Sequence, residues 1–230
     1  PATGNVIAFN GEIYNYLELR AELQAAGDVF ETRSDTEVIL KAYARWGERC
    51  LARFNGMWAF ALWDARGRRL FLVRERVGIK PLHWCMHGDR FLFASEMKSL
   101  FAAGFPRVPD RSLLDVYLAL GYIPAPHSWF TGVRKLEPGH CIVTDGRHVT
   151  VTRWWDLPAV EEGAMRRDAA AVDAEFEALL HDAVRISMRS DVPFGAFLSG
   201  GLGSSSLLTP MAGPTALPPG TLTVGVGHAL

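Results

Sequence analysis

Residues 5–15 read NVIAFNGEIYN, an apolar run that meets Asn-Gly, then a carboxylate, then a change of character. The Asn10 carboxamide and the N–H of Gly11 are two donors able to face a developing oxyanion, and Glu12 can hold a cation beside them. Three consecutive residues thus offer half of an acyl-transfer site. The competing reading is a hairpin turn, because Asn and Gly both tolerate positive φ. The sequel argues against the turn. Residues 16–25 (YLELRAELQA) have helical spacing, with Leu17, Leu19 and Leu23 punctuated by Glu18, Arg20 and Glu22, where a hairpin would need a second strand. The strand is therefore expected to end at Asn-Gly and the chain to pass into a helix.

A second constellation lies near the other end. Residues 192–198 (VPFGAFL) form a short apolar strand that empties into SGGLGSSS at 199–206. Glycine N–H groups can close around an anion, serine hydroxyls add donors, and a following helix adds its dipole. A flexible Gly/Ser linker is the alternative. The preceding helix and strand favour the phosphate cradle.

The elements between these motifs must position them. Ser34-Asp35-Thr36-Glu37 has the S-x-x-E form of a capping box and opens a helix carrying Val38, Ile39, Ala42 and Tyr43. Residues 57–63, 70–73, 82–86 and 91–94 are nearly unbroken apolar runs, which predicts strands buried on both faces. The connections DARGRR and HGDR are short enough for antiparallel pairing. Strands apolar on both sides need cover from two directions, and sheet stacked on sheet with helices outside supplies it. The pattern predicts an α+β fold. A helix is expected over 112–120, strands over 141–144 and 149–155, and an amphipathic helix from Val172 that ends near Arg189.

The 230 residues suffice for one full core and part of a second unit. A net charge of −1 with scattered charges gives no basic face for nucleic acid and no polybasic anchor for a membrane, so small-molecule partners are expected. Cys50, Cys85 and Cys141 are far apart, without zinc spacing, and indicate a reducing compartment. No apolar run approaches the roughly 20 residues of a spanning helix, and PATGNVIAF has no signal pattern, so a cytoplasmic location is expected. A chain starting at Pro1, four residues before a strand, reads as entered partway through a domain.

Taken together, FNGEIYNYLELRAEL, TRSDTEVILKAY, FNGMWAFALWD, RVGIKPL, FASEMKSL, GYIPAP, VRKLEPGH and SDVPFGAFLSGG resemble the glutamine-hydrolysing asparagine synthetase family, in that family's order. The resemblance implies an αββα sandwich of the N-terminal nucleophile type over residues 1–156, a linker at 157–169, and the start of a doubly wound ATP-pyrophosphatase domain at 170–230. In such proteins an N-terminal Cys thiolate releases ammonia from glutamine, and the ammonia attacks an ATP-activated aspartate β-carboxylate. By similarity Asn10 and Gly11 form the oxyanion hole, while Glu12 and Asp35 take the α-ammonium of glutamine. Asp35 is also explained by the helix dipole alone. Ser199, Gly200, Gly201, Ser204 and Ser205 match the loop that grips the pyrophosphate of ATP, with Phe197 and Leu198 near the base; Mg2+ is implied. A homodimer is left open, and the aspartate site lies outside this chain.

The chain departs from the family at two places. Pro1 has no thiol, and no cysteine here joins thiolate and free α-amine in one residue, so the chain as given is expected not to hydrolyse glutamine by that route. Gly203 stands where the family has Asp, a carboxylate able to ligate magnesium replaced by hydrogen, which puts ATP turnover in doubt. Pro210 predicts a short or broken helix after the loop, and 222–226 (LTVGV) a further parallel strand. Arg74, Arg76 and Lys80 read as a solvated turn with structural ion pairs and no catalytic role. Two further readings remain: a related ligase that closes other amides, lactams or peptide rings, and a non-catalytic fragment that binds glutamine or a partner.

Overall fold

The apolar runs pair as antiparallel strands. A computed structural model describes residues 3–159, 168–212 and 220–223, and the chain divides into two units, Pro1–Pro158 and Ala159–Leu230. In the first, β1 (Val6–Ile13), β2 (Gly56–Asp64), β3 (Arg69–Arg74), β4 (His83–His87), β5 (Arg90–Ala94), β6 (Arg134–Lys135), β7 (His140–Thr144) and β8 (Val149–Arg153) form two sheets. Their orders are β1-β2-β3-β7-β8 and β5-β4-β6.

The alternation of side chains along β2 builds the layers. Trp58, Phe60 and Leu62 point to one face, where they pack with Leu19 and Leu23 of α1 (Tyr16–Ala25) and Val38, Ile39 and Ala42 of α2 (Asp35–Trp46). Ala59 and Ala61 point to the other, against Leu82, Leu136, Trp84 and Phe93 of the second sheet and its flanks. That sheet buries Cys85 outward on Leu100 of α3 (Met97–Ala102). Helices, sheet, sheet and helix stack as an αββα sandwich.

The strand does not stop at Asn-Gly, contrary to the local turn signal. β1 continues through Glu12 to Ile13, and the turn comes at residues 14 and 15. Gly11 lies opposite Trp58 with φ +139°, and a Cβ there would overlap the Met57 carbonyl oxygen. Gly56, opposite Ile13, makes the reciprocal close approach to the Glu12 carbonyl. Pairing along all eight residues of β1 outweighs a two-residue preference. The helix expected over 112–120 is a 3-10 turn, Arg111–Leu113, capped by Asp110 and followed by α4 (Leu114–Leu120).

The second unit holds α5 (Ala169–Ser187), β9 (Gly195–Phe197), α6 (Leu202–Met211) and β10 (Gly220–Leu222). β9 and β10 pair in parallel, with α6 between them in sequence. β9 is shorter than the predicted run. β10 starts two residues before 222, and residues 224–226 lie outside the described residues, as do 160–167 of the expected linker. Pro210 sits in the last turn of α6, which ends one residue later.

Replacing Gly11 by Ala is expected to lower the unfolding free energy of the first unit by about 2 kcal/mol or more, from backbone strain and the clash with β2. Urea denaturation checks this; an unchanged midpoint would contradict the observed register.

Candidate functional site

In an antiparallel ladder, residues alternate between exchanging hydrogen bonds with the partner strand and turning both groups the other way. The Trp58 carbonyl accepts the Glu75 N–H at 3.1 Å, so Trp58 faces β3. Its partner Gly11 therefore turns away from β2, toward the open side of β1, which is the sheet edge among the described residues. Ile13, two residues on, shows the same parity: its N–H donates to Asp35 Oδ2 at 3.0 Å. The Gly11 N–H thus looks out along the edge that Asp35 closes.

Asn10 belongs to the opposite parity and shares a face with Ala8, Ala59 and Ala61. These small side chains leave a cleft of about 170 Å³, lined also by Leu82, Phe93, Ala94 and Ser95. Within it Asn10 Nδ2 donates to Ser95 Oγ at 3.1 Å. The Ser95 carbonyl lies 3.0 Å from His83 Nδ1, which must carry the proton because a carbonyl only accepts. Burial holds His83 below the usual histidine range, helped by the charges of Lys135 and Arg74 and opposed by backbone hydrogen bonds at Ser95 and Ala94. No local pattern marks Ser95 or His83 as site residues. Their one visible signal is a lone polar residue within or just after an apolar strand run.

The Glu12 side chain is exposed and makes no hydrogen bond or ion pair with a described residue. Asp35 is the first residue of α2, where a negative charge suits the helix dipole. Its Oδ1 lies 3.4 Å from both Ser34 Oγ and Thr36 Oγ1. The capping box forms only in part. Ser34 Oγ accepts the Thr36 N–H, but Glu37 reaches past the cap to the N–H groups of Glu31 and Thr32 and the Thr32 hydroxyl. Slight burial would raise the Glu37 carboxyl, yet these bonds outweigh it and lower its pKa. From α1, Arg20 adds bonds to the Thr32 and Ser34 carbonyls at 2.6 and 3.1 Å. The loop that presents Asp35 is clamped from both helices.

One strand therefore gathers an amide N–H, an outward backbone N–H and two carboxylates. That set suits a ligand with a carboxamide at one end and a cationic group at the other. Cys50, Cys85 and Cys141 are buried, free and absent from the cleft lining. Burial pushes the Cys50 thiol up to about 12 and the Cys141 thiol up to about 11, so neither is a ready nucleophile.

Arg74 is not solvated. It donates to the carbonyls of Lys80, Leu136 and Gly78 at 2.9, 2.7 and 2.6 Å, and Arg76 to those of Phe54 and Ala52. These arginines hold backbone where ion pairs were expected.

In the second unit, Gly200 adopts φ +78° between β9 and α6. Ser199 Oγ lies 3.0 Å from Ser204 Oγ and accepts the Gly201 N–H at 3.4 Å, while Ser204 Oγ donates to the Gly201 carbonyl. Ser205 N–H closes the first helical bond on Gly201. Phe197 ends β9 and is 80% exposed, and the Leu198 N–H donates to the Leu222 carbonyl. The strand, loop and helix N-terminus have the form of an anion cradle. Gly203 offers no ligand atom, and no cluster of three or more His, Cys, Asp or Glu occurs among the described residues. The described residues therefore do not fit a magnesium site.

The chain matches the family model described as glutamine amidotransferase domain over residues 2–155 and that described as asparagine synthase over residues 175–229. A Methanocaldococcus jannaschii relative bearing an asparagine synthetase name is 40% identical over 208 residues, covering 88% of this chain and 39% of its own length. The Bacillus subtilis protein named asparagine synthetase [glutamine-hydrolyzing] 3 is 37% identical over 211 residues, covering 90% of this chain and 34% of its own. The chain thus spans roughly a third to two-fifths of these relatives. A solved structure of glutamine phosphoribosylpyrophosphate amidotransferase from B. subtilis aligns with TM-score 0.51 at 18% identity, over 95% of this chain and 45% of that one, which shows the shared fold.

Burial disfavours the charged form of His83, so around and below the ordinary histidine value of 6.5 the folded state binds fewer protons than the unfolded one. Stability is expected to fall as pH drops from about 7.5 to about 5.5, and to fall less in His83→Gln. Urea midpoints across that range test this; parallel pH profiles would contradict it.

Proposed function

The chain belongs to the glutamine amidotransferase domain family, and from that premise we propose that the β1 edge is the amide-recognising wall of a glutamine site. The observation that carries the reading is the Ile13 N–H to Asp35 bond. It brings a carboxylate from α2 to the strand that already bears Asn10, Gly11 and Glu12. The Asn10 amide and Gly11 N–H donate to the oxygen of the glutamine carboxamide as it gains charge, each worth about 2.7 to 4 kcal/mol in the transition state. Glu12 and Asp35 hold the α-ammonium, and the apolar cleft beside Asn10 keeps water from the reacting amide.

In a protein of the relatives' full length, ammonia released at such a wall serves amide synthesis at the second unit. There Ser199, Gly200, Gly201, Ser204 and Ser205 cradle the pyrophosphate of ATP, and Phe197 and Leu198 flank the base. The names of the relatives support aspartate as the activated carboxylate, with asparagine, AMP and pyrophosphate as products. ATP fits a loop of glycines and hydroxyls ahead of a helix. Mg2+, implied with it, finds no carboxylate at Gly203, and no step is assigned to it. A Cβ at Gly203 would meet nothing within 4 Å, so the space for an aspartate is present even though the residue is not. A cytoplasmic setting fits the three unpaired cysteines.

Gly203 also favours a second reading for this unit, in which the loop is structural and the chain binds glutamine without spending ATP. Isothermal titration is expected to show L-glutamine binding by the chain. Glu12→Gln and Asp35→Asn should each weaken it about tenfold, the scale of one charge-assisted bond. Affinities unmoved by both substitutions would overturn the assignment.

A further inference from the structure

We propose that Ser95 is a positioning residue for the Asn10 carboxamide: it accepts one Nδ2 N–H across the cleft and leaves the second free to meet a ligand. This deepens the reading of β1 as the amide-recognising wall, and as a claim about glutamine it rests on that reading.

The terminal torsion of asparagine is broad and nearly two-fold, so the side chain alone does not set the plane of its amide. The lining of the cleft does not set it either. Ala8, Ala59, Ala61, Leu82, Phe93 and Ala94 present apolar side chains, and Asn10 and Ser95 are the polar residues among those that line it. Among the described residues, the bond from Asn10 Nδ2 to Ser95 Oγ is therefore the side-chain contact in the cleft able to fix the carboxamide.

Ser95 is itself placed from a different layer. It follows β5 directly, and its carbonyl is held by the buried His83 on the neighbouring strand β4. Asn10 belongs to the five-stranded sheet, whereas Ser95 is anchored to the three-stranded one. One hydrogen bond thus ties the orientation of a donor on one sheet to the position of the other. Accepting from Asn10 leaves the hydrogen of the serine hydroxyl uncommitted to that pair. With the amide turned over, that hydroxyl would instead be spent on Oδ1.

The test uses the 230-residue chain labelled with 15N. The Asn10 side-chain NH2 signals are identified by their loss in Asn10→Asp. In wild type the proton bonded to Ser95 is expected to exchange slowly with solvent. Ser95→Val, which lacks the hydroxyl, should speed exchange about tenfold and weaken L-glutamine binding by a similar factor, the scale of one lost hydrogen bond. Ser95→Thr, the same shape with the hydroxyl kept, should restore both. Ser95→Ala serves as the hydroxyl-free variant should valine disturb folding. Unchanged exchange in both hydroxyl-free variants would overturn the proposal, as would a threonine variant that folds but behaves like valine. If wild type binds no glutamine, the amide-site reading fails, while the exchange rates still decide whether Ser95 positions Asn10.

Discussion

An edge strand leaves every second backbone N–H without a ladder partner, and here that parity assigns each residue of β1 its task. Phe9, Gly11 and Ile13 turn their N–H groups outward. Ile13 spends its N–H on Asp35, which anchors the start of α2 to the strand. Gly11 keeps its N–H for the open side, and Asn10 and Glu12 carry their side chains on the face toward the second sheet. A slip of one residue in the β1 to β2 register would exchange the two sets. Two glycines, Gly11 opposite Trp58 and Gly56 opposite Ile13, hold the register because each occupies a place where a Cβ would strike the opposite backbone.

The same alternation on β2 decides where the molecule is solid and where it is hollow. On the helix side, Trp58 and Phe60 stack at 5.4 Å between centroids, and Trp58 meets Phe54 edge-on at 5.7 Å. On the sheet side, Ala59 and Ala61 are too small to fill the space before Leu82 and Phe93. The floor of the cleft lies on a strand whose opposite face is densely packed. A recess built on such a strand holds its donors in place without rearrangement, which is what charge stabilisation requires.

Much of this was legible in the residues. The leucine spacing at 16–25 gave α1 over that same span, and the four apolar runs gave β2 to β5 in antiparallel pairs. Asn10, Gly11 and Glu12 stood out as candidates by residue type alone. What could not be read was the outcome of competition between local and distant terms. Asn-Gly signals a turn, but pairing with β2 carried the strand past it. Glu37 has the spacing of a capping box, yet the loop before the helix supplies it with better donors. Ser95 reaches Asn10 across 85 positions, and nothing in the neighbourhood of either residue announces the other. Arg74 looked solvated because its partners are carbonyls, which sequence does not distinguish.

The proposed cradle of the second unit has a simpler basis, a glycine at φ +78° ahead of a helix N-terminus. In the first unit the outward Gly11 N–H is the group on which amide recognition depends. The most direct measurement is the shift of backbone amide signals in the 15N-labelled chain as L-glutamine is added. The account predicts that the Gly11 and Ile13 signals move in a saturable way, the first by meeting the ligand and the second as Asp35 takes up the ammonium. Shifts confined to other elements, with Gly11 unmoved at saturation, would contradict it.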